Sequence, residues 1–311
     1  MDFDTLLDSL DPVRRVQKVK LGGIDAKLYL PREKGRHPAV LFNQGLISGS
    51  MRGIANFFPR YITSLGMAVL VPVYEGHLDE RLVPGDTEHV VEAFDYLCSH
   101  DEVDPERVGM LGFSYGGLLS LIGAEDSRIS DKIRYVIDVC GPSDIWGMVP
   151  FVCTDGKASR RAKALMGRTF REAVAESLRE GRAASDDLTL YKDKWLIDEI
   201  LSTEDKGALA GLTSELGPAM SSFFDSFSPV QRASRIRTRV LFVHGREDTV
   251  VPFEQSERMH EAILAAGGRS ELLPIEGLGH ILLVENFREF VRYVQSDGRS
   301  SFEYIVDFMT R

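Results

Sequence analysis

Short runs of consecutive apolar residues, separated by polar stretches, recur along the chain. A run of this length is typical of a strand that is covered on both faces of a sheet. The sequence predicts such strands at Ala39–Phe42, Met67–Val73, Arg107–Phe113, Tyr135–Cys140, Arg239–His244 and Glu271–Pro274. Before them, apolar and polar residues alternate in Val16–Val19 and Ala26–Leu30, on either side of Gly22-Gly23, which predicts a hairpin.

Helical spacing alternates with these strands through most of the chain. Val90, Ala93, Phe94 and Leu97 fall on one face of a helix. Helices are also predicted at Ile54–Leu65, Leu118–Ala124 and Glu285–Met309, the last with a break left open at Asp297-Gly298. Because strands and helices alternate, we expect an α/β protein with a mostly parallel, twisted sheet and helices on both faces.

The alternation stops after the predicted strand that ends at Cys140. In the following segment Phe170, Val174 and Leu178 recur at every fourth position, which is helical spacing, and the pattern contains no obvious core strand. The sequence therefore predicts a core formed by residues 1–144 and 228–311. Residues 145–227, called the insert below, are predicted to form a helical cap over this core.

The charge balance restricts the partners that we expect. The 311 residues include 37 Lys and Arg and 47 Asp and Glu, a formal net charge of −10, which disfavours non-specific binding to nucleic acid or to an anionic membrane. The first residues do not resemble a secretory signal, and no apolar run approaches the roughly 18 residues needed to span a bilayer. We expect a soluble, cytoplasmic protein that binds a small molecule. Assembly into a homo-oligomer stays open.

Potential metal ligands are weak in this sequence. Its three cysteines have no C-x-x-C spacing, so neither a disulfide framework nor a zinc knuckle is indicated. Glu75, His77, Asp79 and Glu80 form a polar cluster, but their spacing does not suit a pair of ligands on one helix face. A polar loop after a strand is the favoured interpretation. We therefore expect neither a metal nor an organic cofactor. The cysteines are Cys98, Cys140 and Cys153.

The strongest chemical motif is a glycine-rich turn, residues 112–117, with the sequence GFSYGG. It joins a predicted strand to a predicted helix. A sharp turn of this kind lifts Ser114 out of the sheet, and Gly112 and Gly116 allow the close backbone approach that the turn needs. The start of the helix adds free N–H groups near the serine. The pattern favours Ser114 as a nucleophile over an incidental serine in a glycine-rich turn.

A candidate acid follows the predicted strand Arg239–His244. A carboxylate on a loop at the carboxyl end of a strand is well placed to orient an imidazole, and Asp248 is the favoured residue. Glu247 competes with it, although a solvated loop charge is the simpler interpretation of Glu247. Asp248 alone could also be a turn or N-cap residue. Asp144 is a further acid at a strand end, where capping of a helix in the insert is favoured over a catalytic role.

A candidate base lies in the loop Gly277-Leu278-Gly279-His280, after the predicted strand Glu271–Pro274. The two glycines allow this loop to bring His280 back over the sheet. His260 falls on a predicted helix, where a solvent-facing position is favoured. The chain order Ser114, Asp248, His280 is the order expected for a catalytic triad on this type of sheet.

These motifs resemble those of the α/β-hydrolase superfamily, on the side of the prolyl-oligopeptidase-like and dienelactone-hydrolase-like enzymes. The resemblance rests on Val103–Gly117 and on Ser228-Pro229, which leads into Val240–Gly245 with Asp248 behind. It covers about residues 20–145 and 228–295. It implies the α/β-hydrolase fold, with Ser114 as nucleophile, Asp248 as acid and His280 as base. It also implies a structural role for His244.

An oxyanion hole needs two N–H donors. The backbone N–H of Tyr115, next to the nucleophile, is the expected first donor. The second is expected from the loop Asn43–Leu46, which has Gln44-Gly45 where the resembled enzymes commonly have His-Gly. The backbone of Leu46 or of Gln44 is the candidate, and Gly45 lets the loop come close.

Aromatic residues of the insert are candidates for lining an acyl or leaving-group pocket, although most of them could equally form the insert's own core. The candidates are Trp146, Phe151, Trp195, Phe223 and Phe224.

The expected activity is hydrolysis of a carboxylic ester through an acyl-enzyme on Ser114. A serine peptidase acting on short peptides, a lactonase and a carbon–carbon hydrolase remain alternatives. A binding protein with an inactive site is the alternative from another class, but the complete set of Ser114, Asp248 and His280 argues against it.

Overall fold

A computed structural model of the chain describes residues 13–46, 52–179, 188–280 and 298–311. Eight strands form one sheet in the order β1-β2-β4-β3-β5-β6-β7-β8. The strands are β1 (Val13–Leu21), β2 (Ile24–Pro31), β3 (His37–Asn43), β4 (Ala68–Val73), β5 (Val103–Phe113), β6 (Tyr135–Val139), β7 (Arg239–Gly245) and β8 (Arg269–Ile275).

The helices outside the insert lie between these strands and after the last of them. They are α1 (Arg52–Ser64), α2 (Glu75–Asp79), α3 (Asp86–Ser99), α4 (Tyr115–Glu125), α10 (Glu254–Ala265) and α11 (Gly298–Thr310). The insert contains α5 (Ile145–Thr154), α6 (Arg160–Arg179), α7 (Leu188–Ser202), α8 (Lys206–Ser214) and α9 (Pro218–Ser226). Short 3₁₀ segments occupy Ser130–Lys132 and Pro229–Arg235.

The sheet is antiparallel at one edge and parallel elsewhere. β1 and β2 form the predicted hairpin, and β2 pairs with β4 in antiparallel orientation. From β4 onward every pairing is parallel. The parallel strands read as continuous apolar runs because helices cover both faces; in β3, Val40 and Leu41 are fully buried on opposite sides. The predicted mostly parallel α/β sheet is confirmed.

The insert has its own apolar interior. The rings of Trp146 and Phe224 stack with their centroids 4.4 Å apart, and Phe170 packs against Phe224 at 4.7 Å. The Oε1 atom of Gln255 on α10 accepts hydrogen bonds from the backbone N–H groups of Ser143 and Asp144, and so fastens the start of the insert to the core. The division into core and cap, with its boundaries at 145 and 227, stays a prediction.

Asp144 occupies the N-cap position of α5, but its carboxylate makes no capping bond and instead pairs with Arg258. The predicted position of Asp144 at the start of a helix in the insert is confirmed, but its side chain does not supply the capping bond; the hydroxyl of Ser228 accepts from the N–H of Ile145. At the C-terminus, α11 overlaps the predicted helix over residues 298–309 and ends one residue later, while residues 285–297 of that prediction lie outside the described residues.

Among the described helices, none is both long and apolar enough to cross a membrane.

Candidate active site

The turn between β5 and α4 is strained at Ser114, and its glycines allow the close backbone contacts on either side. Ser114 adopts φ 52° and ψ −117°, a strained conformation for a residue with a side chain. A Cβ on Gly112 would lie 2.1 Å from the carbonyl oxygen of Gly116, and a Cβ on Gly116 would lie 2.0 Å from that of Asn43. Ser114 N–H donates to the Val139 carbonyl at 2.8 Å, which fixes the turn on β6. This is the geometry of a nucleophile elbow.

The structure brings the three predicted residues into one hydrogen-bonded line. The Nδ1 atom of His280 lies 2.6 Å from Oδ2 of Asp248, and the Nε2 atom of His280 lies 3.1 Å from Oγ of Ser114. Because the carboxylate is the acceptor, Nδ1 carries the proton and Nε2 accepts from the serine hydroxyl. Asp248 and His280 are buried, whereas Ser114 is half-buried, so the hydroxyl can meet a substrate.

Asp248 is held ionised by its surroundings. Its burial raises its pKa, but the charge of His280 and hydrogen bonds from His244 and His280 outweigh burial and hold the pKa well below the usual range. Its Oδ1 accepts from the backbone N–H groups of Val250 and Val251 at 2.8 and 2.9 Å. Both oxygens are therefore used, one to fix the carboxylate on its loop and the other to orient His280.

The competing residues lie outside this line. Glu247 is exposed, as its simpler interpretation required. His260 is half-buried, with Nδ1 2.8 Å from Oγ of Ser270, and so does not face solvent freely. His244 is fully buried between Ser256 and Val251, at 2.7 and 2.9 Å, and its Nε2 lies 3.4 Å from Asp248. The contacts of His244 support the structural role that the resemblance implied, since the ring buttresses the acid.

The two sides of the predicted oxyanion hole meet at the elbow. Tyr115 is the first residue of α4, where backbone N–H groups have no acceptor within the helix. The loop Asn43–Leu46 follows β3, and a Cβ on Gly116 would also come within 2.5 Å of the Gln44 carbonyl oxygen. The donor roles of Tyr115, Leu46 and Gln44 stay predictions.

The polar cluster after β4 is not the simple loop that the sequence predicted. Residues 75–79 form the short helix α2, in which His77 is buried. The prediction was wrong because burial of His77 arises from contacts with distant parts of the chain, which the local polar pattern does not reveal. These contacts reach the loop Asn43–Leu46.

The predicted pocket residues separate into two groups. Phe224 is fully buried in the insert, and Trp146 and Phe223 are half-buried against it, which supports the alternative that they form the insert's own core; a lining role for the three stays a prediction. Trp195 is 55% exposed on α7. Phe151 lines a cavity of about 250 Å³ beside Asp248 and keeps its predicted role as a hypothesis.

One set of potential metal ligands lies among the described residues. Atoms of Cys140, His244 and Asp248 come within 4.8 Å of one another. The nitrogens of His244 and the oxygens of Asp248 are already engaged in the hydrogen bonds described above. A metal bound here would have to displace the contacts that orient His280, so the site does not fit a resident ion.

Comparison with known proteins places this site in a family. Residues 74–281, which include Ser114, Asp248 and His280, match the model of the X-Pro dipeptidyl-peptidase (S15) family. The chain belongs to this family. This membership confirms the resemblance to the α/β-hydrolase superfamily, and the chain is a serine hydrolase of that superfamily.

Curated relatives share parts of the chain. Human acyl-coenzyme A thioesterase 6 is 33% identical over 116 residues, which is 37% of this chain and 27% of the thioesterase. Mouse dipeptidyl peptidase 8 is 28% identical over 169 residues, which is 46% of this chain and 19% of the peptidase. The chain therefore spans less than a third of the length of either relative.

Solved structures share the fold. The puromycin-hydrolyzing peptidase of Mycobacterium tuberculosis has a TM-score of 0.56 at 20% identity, covering 86% of this chain and 36% of that one. The hyperthermophilic esterase of Pyrobaculum calidifontis has a TM-score of 0.56 at 18% identity, covering 97% of this chain and 94% of that one. At these identities the likeness shows the fold alone.

Asp138 is a buried carboxyl beneath the elbow. It lies on β6, where its Oδ1 accepts from the N–H of Gly141 at 2.8 Å, while its Oδ2 has no hydrogen-bond partner among the described residues. A Cβ on Gly117 would lie 2.2 Å from Oδ1, so the carboxyl packs directly under α4. Burial raises the pKa of Asp138 to about 7, which the charge of His244 offsets in part.

This raised pKa makes a prediction about stability. The folded chain holds the Asp138 proton more tightly than the unfolded chain, so its contribution to stability is present in acid and is lost as the pH rises towards about 7. Asp138→Asn, which keeps the shape of the neutral acid, is expected to raise the free energy of unfolding by about 1–2 kcal/mol at pH 5, because the carboxyl of the unfolded chain is already ionised there. At pH 8 it is expected to raise that free energy by about 4 kcal/mol.

Urea unfolding of both proteins at the two pH values measures the difference. Asp25→Asn, at an exposed position on β2, is the matched control and should show no such dependence on pH. An effect of Asp138→Asn that is equal at pH 5 and pH 8 would contradict the raised pKa.

Proposed function

We propose that this chain hydrolyses carboxylic esters through an acyl-enzyme on Ser114. The observation that carries the proposal is the line from Asp248 through His280 to the Ser114 hydroxyl, with distances of 2.6 and 3.1 Å. Both distances lie within the range for hydrogen bonds, so a proton can pass from the hydroxyl to the imidazole as the serine attacks. Ser114 is only half-buried, which is compatible with access of a substrate to the hydroxyl.

The proposed reaction has two halves. Ser114 Oγ attacks the carbonyl carbon while His280 Nε2 takes its proton, and the tetrahedral oxyanion is stabilised by the Tyr115 N–H and an N–H of the loop Asn43–Leu46. His280 then gives the proton to the leaving alcohol. Water, deprotonated by His280, attacks the acyl carbon; the bond to Ser114 Oγ breaks, Oγ takes the proton back from His280, and the acid is released. Asp248 stays ionised throughout and stabilises the imidazolium.

A peptide substrate is the second candidate. It is supported by the membership of the X-Pro dipeptidyl-peptidase family and by the partial identity with dipeptidyl peptidase 8. An amide can acylate the serine of the same triad, provided that His280 protonates the leaving amine. The thioesterase relatives likewise support a thioester as a variant of the acyl substrate. The compartment and the oligomeric state stay predictions.

A panel of chromogenic substrates separates these candidates. We expect the purified chain to hydrolyse p-nitrophenyl esters, with kcat/KM passing through a maximum in a series from acetate to laurate. An alanyl-prolyl p-nitroanilide and an acyl-coenzyme A thioester are assayed beside the esters. Turnover of the anilide without turnover of any ester would replace the ester proposal with the peptidase. Ester turnover that survives loss of Ser114 would contradict both.

A further inference from the structure

The short helix α2 contacts both sides of the predicted oxyanion hole. On one side, the fully buried carboxylate of Asp86 accepts hydrogen bonds from the N–H groups of Glu75 and Gly76, at 3.0 and 2.8 Å. The same carboxylate accepts from the hydroxyl of Tyr115 at 2.8 Å. The beginning of α2 is thereby tied to the residue that follows the nucleophile.

On the other side, His77 bonds the loop that follows β3. Its Nδ1 accepts from the backbone N–H of Tyr74 at 3.3 Å, so the ring proton is on Nε2, which donates to the Gln44 carbonyl at 2.8 Å. Burial lowers the pKa of His77 to about 4, so the ring is neutral near pH 7 and keeps this pattern of one acceptor and one donor. The ring also lies edge-on to Tyr115, with the centroids 6.2 Å apart.

The loop is held at two of its carbonyls. His77 holds the carbonyl of Gln44, and Nη2 of Arg161 in the insert lies 3.3 Å from the carbonyl oxygen of Leu46. The peptide that carries the Leu46 N–H lies between these two fixed points. The loop begins at Asn43, whose Oδ1 accepts from the Tyr74 hydroxyl at 2.6 Å. The position of a loop donor is therefore set by the hydrogen bonds that Tyr74, His77 and Arg161 make to the loop.

We propose that His77 is a positioning residue for the oxyanion hole: its Nε2–H fixes the Gln44 carbonyl and so aims the loop N–H at the carbonyl oxygen bound beside Ser114. The inference rests on the proposed function only in that the hole serves an acyl transfer by Ser114. An N–H aimed at the developing negative charge acts mainly in the transition state, so loss of the aim lowers kcat more than it raises KM.

Two polar substitutions divide the bonds of His77 between them. The amide nitrogen of glutamine reaches the position of Nε2, so His77→Gln keeps the donor to Gln44 and gives up the bond from Tyr74. The amide oxygen of asparagine reaches only the position of Nδ1, so His77→Asn keeps the bond from Tyr74 and gives up the donor. Each variant loses one of the two hydrogen bonds at the same buried position, so their losses of stability should be similar.

The readouts are kcat and KM for p-nitrophenyl acetate and the second-order rate of inactivation by a fluorophosphonate. We expect His77→Asn to lower kcat and the inactivation rate by about tenfold or more, with KM changing little, because a misaimed donor acts on the transition state. We expect His77→Gln to keep both rates within about threefold of the unsubstituted chain, because it keeps the donor to the Gln44 carbonyl, whereas loss of an oxyanion donor costs far more. His260→Asn, at a half-buried histidine on α10, is the matched control and should change neither rate.

The outcomes separate this inference from the proposed function. Equal losses in the two His77 variants, or no loss in His77→Asn, would overturn the role of His77 whatever the substrate. Fluorophosphonate labelling without ester turnover would overturn the ester proposal, while the inactivation rates would still decide the role of His77. A folded chain that no fluorophosphonate labels would overturn both.

Discussion

Replacing Ser114 with alanine is expected to lower kcat for a p-nitrophenyl ester by at least about 10⁴-fold. The substitution removes the atom that forms the acyl-enzyme, and His280 then has no hydroxyl from which to take a proton. The activity that remains comes from water attack on a substrate held in the oxyanion hole, which the rest of the site still stabilises. Steady-state kinetics on the variant, with KM measured separately, gives the size of the loss.

The control for this substitution is another serine of the same chain. Ser99→Ala, at an exposed position on α3, is expected to leave kcat unchanged. Fluorescence and urea unfolding should show that Ser114→Ala stays folded, because the alanine retains the Cβ and removes only a half-buried hydroxyl. A variant that is folded and keeps more than about a hundredth of the activity would contradict the role of Ser114.

Replacing Asp248 with asparagine is expected to lower kcat by about 10⁴-fold while leaving the fold intact. The backbone N–H groups of Val250 and Val251 hold Oδ1, so the asparagine oxygen remains there and the amide nitrogen takes the place of Oδ2. This nitrogen donates to Nδ1 of His280 and forces the ring proton onto Nε2. The imidazole then cannot accept the proton of Ser114.

The adjacent acid provides the matched comparison. Glu247→Gln removes a charge one residue away at an exposed position, and we expect it to change kcat less than about twofold because exposed charges are screened by water. Stopped assays over a range of pH measure both variants. A loss in Glu247→Gln that equals the loss in Asp248→Asn would contradict the assignment of Asp248 as the triad acid.

Local sequence patterns predicted the parts of this protein that depend on neighbouring residues. The apolar run Ala39–Phe42 indicates a strand because both faces of β3 are covered, and each side chain of that run is buried. The elbow was predictable for a similar reason: Gly112 and Gly116 are required by contacts within the turn and with the adjacent strand end. Ser114, Asp248 and His280 each follow a strand, so parallel pairing of the sheet places their loops at one edge.

Other features depend on contacts between distant segments, which the sequence pattern does not show. His77 meets Gln44 across 33 positions and Asp86 meets Tyr115 across 29, so the polar residues after β4 looked like a solvated loop. The aromatic residues of the insert could form a pocket or a core, and the packing of Trp146 on Phe224 is a contact that the sequence pattern does not show.

The most direct test of the account is the identity of the acylated atom. The chain is treated with a fluorophosphonate, digested with a protease and analysed by peptide mass spectrometry. We predict one adduct, on the peptide that contains Ser114, formed at a rate that falls together with ester hydrolysis in Asp248→Asn. An adduct on a different residue, or ester hydrolysis that continues while Ser114 is fully modified, would contradict the account.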